Sequence, residues 1–221
     1  MCGRIIIANE PNEIEKENLN SILKTRYDIK IIYVKLEILY ASWNRGIQMS
    51  SGKAITFWNV DDIRFGKTLI NGYKTILDGV DVVYFPFISI WKHKYYSYIP
   101  IYRINIVYPP QFSIKGNEDG MIGGPFFIVN SDVIKRVGYF DEQFKVVGDY
   151  DWFIKAGRSG LNFIRLFSIA GIYLKQVKTL SGGQNNYVHR VENQVFFKRY
   201  GLVWKIERLS KEEGLFKSYR V

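Results

Sequence analysis

At 221 residues, with 47% hydrophobic and 16% aromatic side chains, the chain is long and apolar enough to bury one substantial core, which excludes a disordered or fibrous protein. A single cysteine, Cys2, excludes an internal disulfide and metal sites built on cysteine. Lys and Arg number 31 against 21 Asp and Glu, a net charge of +10 that favours anionic partners such as nucleotide diphosphates, nucleic acid or an acidic membrane face.

In chain order, residues 4–8 (RIIIA) read as a short buried strand closed by the polar turn at 9–13. Ile14, Leu19, Ile22 and Leu23 then follow a helical spacing, and residues 29–34 form the next strand. Strand, helix, strand predicts a βαβ unit with parallel pairing. Residues 42–46 (SWNRG) read as a polar turn and 50–52 as a small-residue break. The apolar run 54–58 reads as a buried strand ending on Asn59, Asp61 and Asp62. A helix over 63–79 is expected to carry Leu69, Ile70, Tyr73 and Leu77 on one face. Residues 80–90 read as a strand in which Pro86 suits an edge or bulge.

The aromatic and basic residues 91–96 could stack a base or sugar, sit at a membrane interface, or form a plain exposed loop. Residues 108–119 read as a polar loop, mobile over a site. After Gly123, Gly124 and Pro125 come a strand at 126–129 and a helix capped by Asn130 or Ser131. Asp149 and Asp151 open an amphipathic helix, residues 163–173 form a strand and 181–184 a flexible turn. His189 precedes a helix over 191–200, and a basic tail runs from Lys205.

Two acidic clusters carry the candidate chemistry. Carboxylates at the carboxyl end of a central strand lie where open α/β sheets bind ligands. Their mutual repulsion is relieved by a cation or a shared proton, and hard oxygen ligands suit Mg²⁺ or Mn²⁺. The plainer alternative is a solvated turn in which Asp61 or Asp62 caps the next helix. Asp149 and Asp151 can likewise serve as a general base or simply complement a helix dipole. With only two histidines, His93 and His189, no Ser-His-Asp arrangement can be inferred. No repeat, phosphate-cradling G-x-x-x-x-G-K-[ST] or G-x-G-x-x-G motif occurs. No run approaches the ~20 apolar residues of a membrane span and no signal peptide opens the chain. A soluble cytoplasmic protein with peripheral membrane contact is therefore expected.

The order Asn44-Arg45-Gly46-Ile47, Gly52-Lys53, an apolar strand and Asn59-Val60-Asp61-Asp62 resembles the family 2 glycosyltransferases of the GT-A type. So do VGYFDEQF at 137–144, VGDYDWFIK at 147–155 and Arg199-Tyr200-Gly201. The resemblance implies an α/β, single GT-A-like domain over 1–204, with a mostly parallel central sheet flanked by helices and a basic tail at 205–221. It implies inverting transfer from a nucleotide-sugar donor to the hydroxyl of a glycan, lipid-linked or protein acceptor, with Mn²⁺ or Mg²⁺ as cofactor and no nucleic acid as partner. On this sequence it assigns the metal to Asp61 and Asn59 with His189 as a third ligand. Donor contacts fall on Asn9, Asn44, Gly46, Asn59, Asp61, Gly123 and Gly124, and the general base on Asp149 with Asp151 in reserve. The chain departs from the pattern in having Asn59 for the first Asp of D-x-D and Gly148 where Glu is common. Its first strand also matches the family's second. A non-catalytic GT-A-like binding module and a basic nucleic-acid-binding protein are the rival readings.

Overall fold

The computed structural model describes residues 3–26, 28–96, 99–175 and 187–206, with the backbone alone at 92–96 and 99–101. Cys2, the turn at 181–184 and the tail beyond 206 lie outside the described residues.

Strands β1 (Arg4–Asn9) and β2 (Ile29–Val34) pair in parallel, as expected, with Arg4 opposite Ile29 and Asn9 opposite Val34. Helix α1 (Glu13–Thr25) crosses between them behind a capping box, in which Asn12 accepts from the Glu15 amide and Glu15 accepts from the Asn12 amide, satisfying two otherwise orphaned donors. Its apolar stripe buries no side chain completely.

The expected polar turn at 42–46 is instead the interior of a helix, α2 (Leu39–Met49). Tyr40, Asn44 and Ile47 are buried at i, i+4 and i+7, the spacing of one helical face. The face was hidden because its middle position is an asparagine, whose amide is satisfied only by a distant part of the chain.

Strand β3 (Ala54–Thr56) joins the sheet β3-β8-β5-β9, formed with β5 (Val82–Tyr84), β8 (Phe127–Asn130) and β9 (Phe163–Arg165). A second sheet, β4-β10-β6-β7, contains β4 (Ile63–Arg64), β6 (Phe87–Tyr96), β7 (Ile99–Val107) and β10 (Gly171–Lys175). The architecture is α/β with sheets flanked by helices. Pairing is mixed: β8 runs antiparallel to both β3 and β5, whereas β5 with β9 and β6 with β10 are parallel.

The run at 80–90 therefore serves two sheets, broken at Phe85-Pro86, where Pro86 offers its carbonyl to the Ala170 amide at 2.9 Å. Residues 163–173 are divided the same way between β9 and β10. The aromatic and basic residues 91–96 lie in a strand rather than a loop, because β6 and β7 form one long antiparallel hairpin. The expected loop at 108–119 contains helix α4 (Ile114–Asp119), capped by Ser113, which accepts from the Gly116 amide.

Alternation places Val82, Tyr84, Phe127 and Val129 in one core with Tyr40, Trp152, Phe153 and Phe196. Val83, Phe85, Phe126 and Ile128 enter a second with Ile76 and Phe87. Strands buried on both faces read as continuous apolar runs. Helix α3 (Gly66–Leu77) packs on the second core through Thr68, Gly72 and Ile76, while Ile70, Tyr73 and Leu77 face outward. The helix seats on its small residue: a Cβ at Gly72 would stand 2.5 Å from Ile128 and 2.8 Å from Phe85. The remaining helices are α5 (Ser131–Val137), capped by Asn130, α6 (Gly148–Arg158) and α7 (Tyr187–Arg199). His189 thus sits in the first turn of α7 rather than ahead of it.

Candidate active site

Asp149 and Asp151, two residues apart on the first turn of α6, meet opposite environments. Asp151 is 0% exposed. Its Oδ1 accepts from Arg199 at 2.9 Å and Tyr200 at 2.8 Å, and its Oδ2 lies 2.6 Å from the Lys155 ammonium. Asp149 is partly exposed. Its Oδ1 accepts from the Tyr150 amide at 2.8 Å, and the Tyr40 hydroxyl stands 3.1 Å away. Both bonds fall on Oδ1 and leave Oδ2 outside them. Burial raises the pKa of Asp149, and the Tyr150 amide, the Tyr40 hydroxyl and its own backbone amide pull it back in part. Chemically, Asp151 is a tie and Asp149 a carboxylate with an oxygen available to take a proton.

Tyr40 was not legible as a site residue. Its ring is buried and its hydroxyl lies 2.8 Å from the Val146 carbonyl as well as near Asp149. One hydroxyl proton can serve only one acceptor at a time, so the phenol donates to Asp149 when that group is ionised and to Val146 when it is protonated. The same ring accounts for Gly148: a Cβ there would stand 2.6 Å from it.

Helix α7 fixes the entry to α6 from two points. Glu192, buried, accepts from the amides of Lys145, Val146 and Val147 at 2.8, 2.9 and 3.2 Å, and Arg199 and Tyr200 grip Asp151. A signal for Glu192 existed, since residues 152–191 contain no Asp or Glu and it stands alone at the end of that stretch.

The other cluster follows β3. Asp62 is 6% exposed and its carboxyl is pushed up to about 6, first by burial and then by the charge of Asp61, with Arg64, the Leu174 amide and the Asn59 amide opposing. Its Oδ1 has no hydrogen-bond partner. Beneath it Arg64 is buried: it donates to the Phe57 and Pro125 carbonyls and, at 2.9 Å, to Thr56 Oγ1. This pins the acidic turn to the strand end and to the Gly124-Pro125 loop. The carboxyl of Asp62 is harder to ionise in the folded protein than in the unfolded chain, so it adds stability below its unfolded pKa that is lost as pH rises through about 6. Accordingly, Asp62→Asn gains on wild type in melting temperature between pH 4 and pH 7 in the presence of a chelator. A constant difference across that range would show that Asp62 does not titrate there.

The two clusters are linked by aromatic rings. Phe57 stacks on Trp43 at 4.5 Å, and Trp43 meets Tyr40 edge-on at 5.6 Å. The remaining sequence-assigned residues are differently placed. Asn9 spends its amide on both backbone groups of Glu37, at 2.7 and 2.9 Å. Asn44, buried, binds the Phe140 carbonyl and amide and also Glu142. Gly46 lies on α2 with open space at its Cβ position. Gly123 and Gly124 leave room for the Phe153 and Phe87 rings, which a Cβ would meet at 2.1 and 2.9 Å. The charges acting on His189 are those of Glu192 and Lys175, and burial lowers its pKa.

Among the described residues no three or more His, Cys, Asp or Glu side chains converge as a metal site. The donors on hand are the Asp61 carboxylate, the Asn59 amide oxygen and the unpartnered Asp62 Oδ1. That set of hard oxygens fits Mg²⁺ or Mn²⁺ if the ligand supplies the remaining positions.

No family model matches this chain, and no curated protein does. Among solved structures it is similar to TarS 1–349 of S. aureus, with a TM-score of 0.54 and 14% identity over 78% of this chain and 60% of that one. The same fragment in complex with UDP gives 0.54 and 14% over 80% and 61%. The fold is that of a GT-A glycosyltransferase domain. The structure of TarS itself matches with a TM-score of 0.54 and 15% identity over 78% of this chain and 37% of that one. This chain thus spans about three fifths of the TarS fragment.

Proposed function

We propose that residues 1–204 form one glycosyltransferase domain of the family 2 type, which moves a sugar with inversion from a nucleotide-sugar to a hydroxyl acceptor. The observation that carries this reading is Asp149: a partly buried carboxylate of raised pKa at the start of α6, held through Oδ1 with Oδ2 outside those bonds, on a GT-A fold. Asp149 takes the proton of the acceptor hydroxyl on Oδ2 as that oxygen bonds to the anomeric carbon. The bond from that carbon to the diphosphate oxygen breaks in line, and the electron pair leaves with the nucleotide. Asp61, Asn59 and Asp62 would hold the divalent cation. When bound, such a cation offsets the charge growing on the leaving diphosphate.

The Tyr40 hydroxyl stabilises the ionised base, since a hydrogen bond to a carboxylate favours its charged form. Tyr40→Phe keeps the ring and removes that donor, so the acid limb of the pH profile of kcat/KM moves to higher pH. An unmoved limb with a merely lower rate would leave Tyr40 a packing role only.

UDP is the first nucleotide to test, because the similar TarS fragment is solved with it. Thermal unfolding with UDP, GDP and dTDP, each with and without Mn²⁺, decides the donor. A nucleotide at ~100 times its Kd stabilises by about 2.7 kcal/mol, a rise of roughly 5–10 °C. The consumed amides of Asn9 and Asn44 favour a second reading, a GT-A-like module that binds without turnover. Absence of a shift with every nucleotide would transfer the conclusion to it.

A further inference from the structure

The inward face of the β4-β10-β6-β7 sheet carries two cations, Arg64 and Lys175, and only the first is spent inside the fold. Register and alternation set Arg64, Gly171, Tyr173 and Lys175 on the same side as Phe87, Ser89 and Trp91. At one end Arg64 lies over Phe126 and donates to Thr56, Phe57 and Pro125. Phe87 and Tyr173 continue the face along the second core, their rings edge-on at 6.1 Å. At the other end Lys175 holds its ammonium 3.9 Å from the centre of the Trp91 ring.

An ammonium has three donors, and among the described residues no oxygen accepts a hydrogen bond from Lys175. Nor does a carboxylate pair with it there; its own strand and β6 lie in stretches without Asp or Glu, 152–191 and 82–117. Burial alone acts on its pKa and lowers it, whereas Arg158 and Arg199 each hold a carboxylate. His189, in the first turn of α7, is near enough to feel the Lys175 charge. The acid on that helix, Glu192, gives its oxygens to the amides of Lys145, Val146 and Val147. A partly buried cation without a counter-ion is costly to keep, and an aromatic face offsets only part of that cost. What the group lacks is an anion with oxygens for its remaining donors. Leu174, the residue before it, gives its amide to Asp62, so Lys175 follows directly on the strand position that supports the acidic turn.

We propose that Lys175, seated on Trp91 with His189 nearby, binds a phosphate group of a substrate. The inference rests on the glycosyl-transfer reading for the source of that phosphate, which is the diphosphate of the nucleotide or a phosphate on the acceptor.

Calorimetric titration of the full chain with two ligand pairs tests this: UDP against uridine, with Mn²⁺ present, and glucose 6-phosphate against glucose. The members of each pair differ only in phosphate. Lys175→Met keeps the stem and removes the charge. It weakens the phosphate-bearing member of one pair about tenfold or more and leaves the phosphate-free member unchanged. Its melting temperature equals or exceeds that of wild type, because a desolvated charge is gone. Lys175→Gln carries the same test if the methionine variant melts early, and Lys175→Arg retains binding. A loss in the first pair assigns the phosphate to the nucleotide, and a loss in the second assigns it to the acceptor. If wild type takes no nucleoside diphosphate but glucose 6-phosphate depends on Lys175, the glycosyl-transfer reading falls and the phosphate site stands. Equal binding of both phosphates by wild type and Lys175→Met overturns the proposal, and so does binding of neither by wild type. An equal loss in Lys135→Met, at an exposed lysine paired with Asp132, also overturns it, since net charge rather than a site would then explain the effect.

Discussion

Asp149→Asn lowers turnover of a verified transfer reaction by about 10²–10⁴-fold, the usual contribution of a positioned general base, and leaves the fold intact. Asparagine is nearly isosteric, and its amide oxygen can accept from Tyr40 and Tyr150 as Oδ1 does now. The amide nitrogen then occupies the place of Oδ2, where it has no lone pair for the acceptor's proton. The variant also no longer has to bury a charge, so its melting temperature at neutral pH equals or exceeds that of wild type. Nucleotide binding, measured by the same thermal shift, persists. Wild-type turnover in Asp149→Asn would remove the base assignment while leaving the fold untouched.

Asp151→Asn has the contrary signature. The neutral amide cannot answer both the Lys155 ammonium at 2.6 Å and the Arg199 guanidinium at 2.9 Å, in a position wholly removed from solvent. Arg199 keeps Asp141 at 2.7 Å, and both cations are about one third exposed, which limits the loss. The expected destabilisation is about 2–3 kcal/mol, read as a fall in melting temperature of roughly 4–10 °C. Any loss of activity below that temperature is modest and follows from looser support of the α6 entry. A large activity loss with unchanged melting would make Asp151 the base and Asp149 its neighbour.

The difference between these two aspartates could not be read along the chain, although the motif that contains them could. Local pattern was sufficient for β1, α1 and β2, because Arg4–Asn9, the capping box at Asn12 and Glu15 and the parallel pairing depend on neighbours close in sequence. The strand entering Asn59 and Asp61 and the cap at Asn130 were legible for the same reason. Helix α2 was not, since Asn44 finds its partners at Phe140 and Glu142, 96 and 98 residues away. Which side of α3 packs was not legible, because close packing on Gly72 outweighed the larger side chains of Ile70, Tyr73 and Leu77. The hairpin at β6 and β7 was obscured because its outward residues are isoleucines, so its alternation does not separate apolar from polar.

By itself the sequence determined the α/β class, the order of the two acidic clusters and the residue types able to hold a cation or take a proton, since these follow from short-range periodicity and side-chain chemistry. Only the tertiary structure decided that Asp149 is partly exposed while Asp151 is buried against Arg199, Tyr200 and Lys155, that burial raises the proton affinity of Asp149 and Asp62 against the pull of Tyr40 and Arg64, and that Asn9 and Asn44 spend their amides inside the fold. Each of these depends on groups brought together from distant parts of the chain, and a carboxylate's burial, partners and proton affinity exist only once that chain has closed around it.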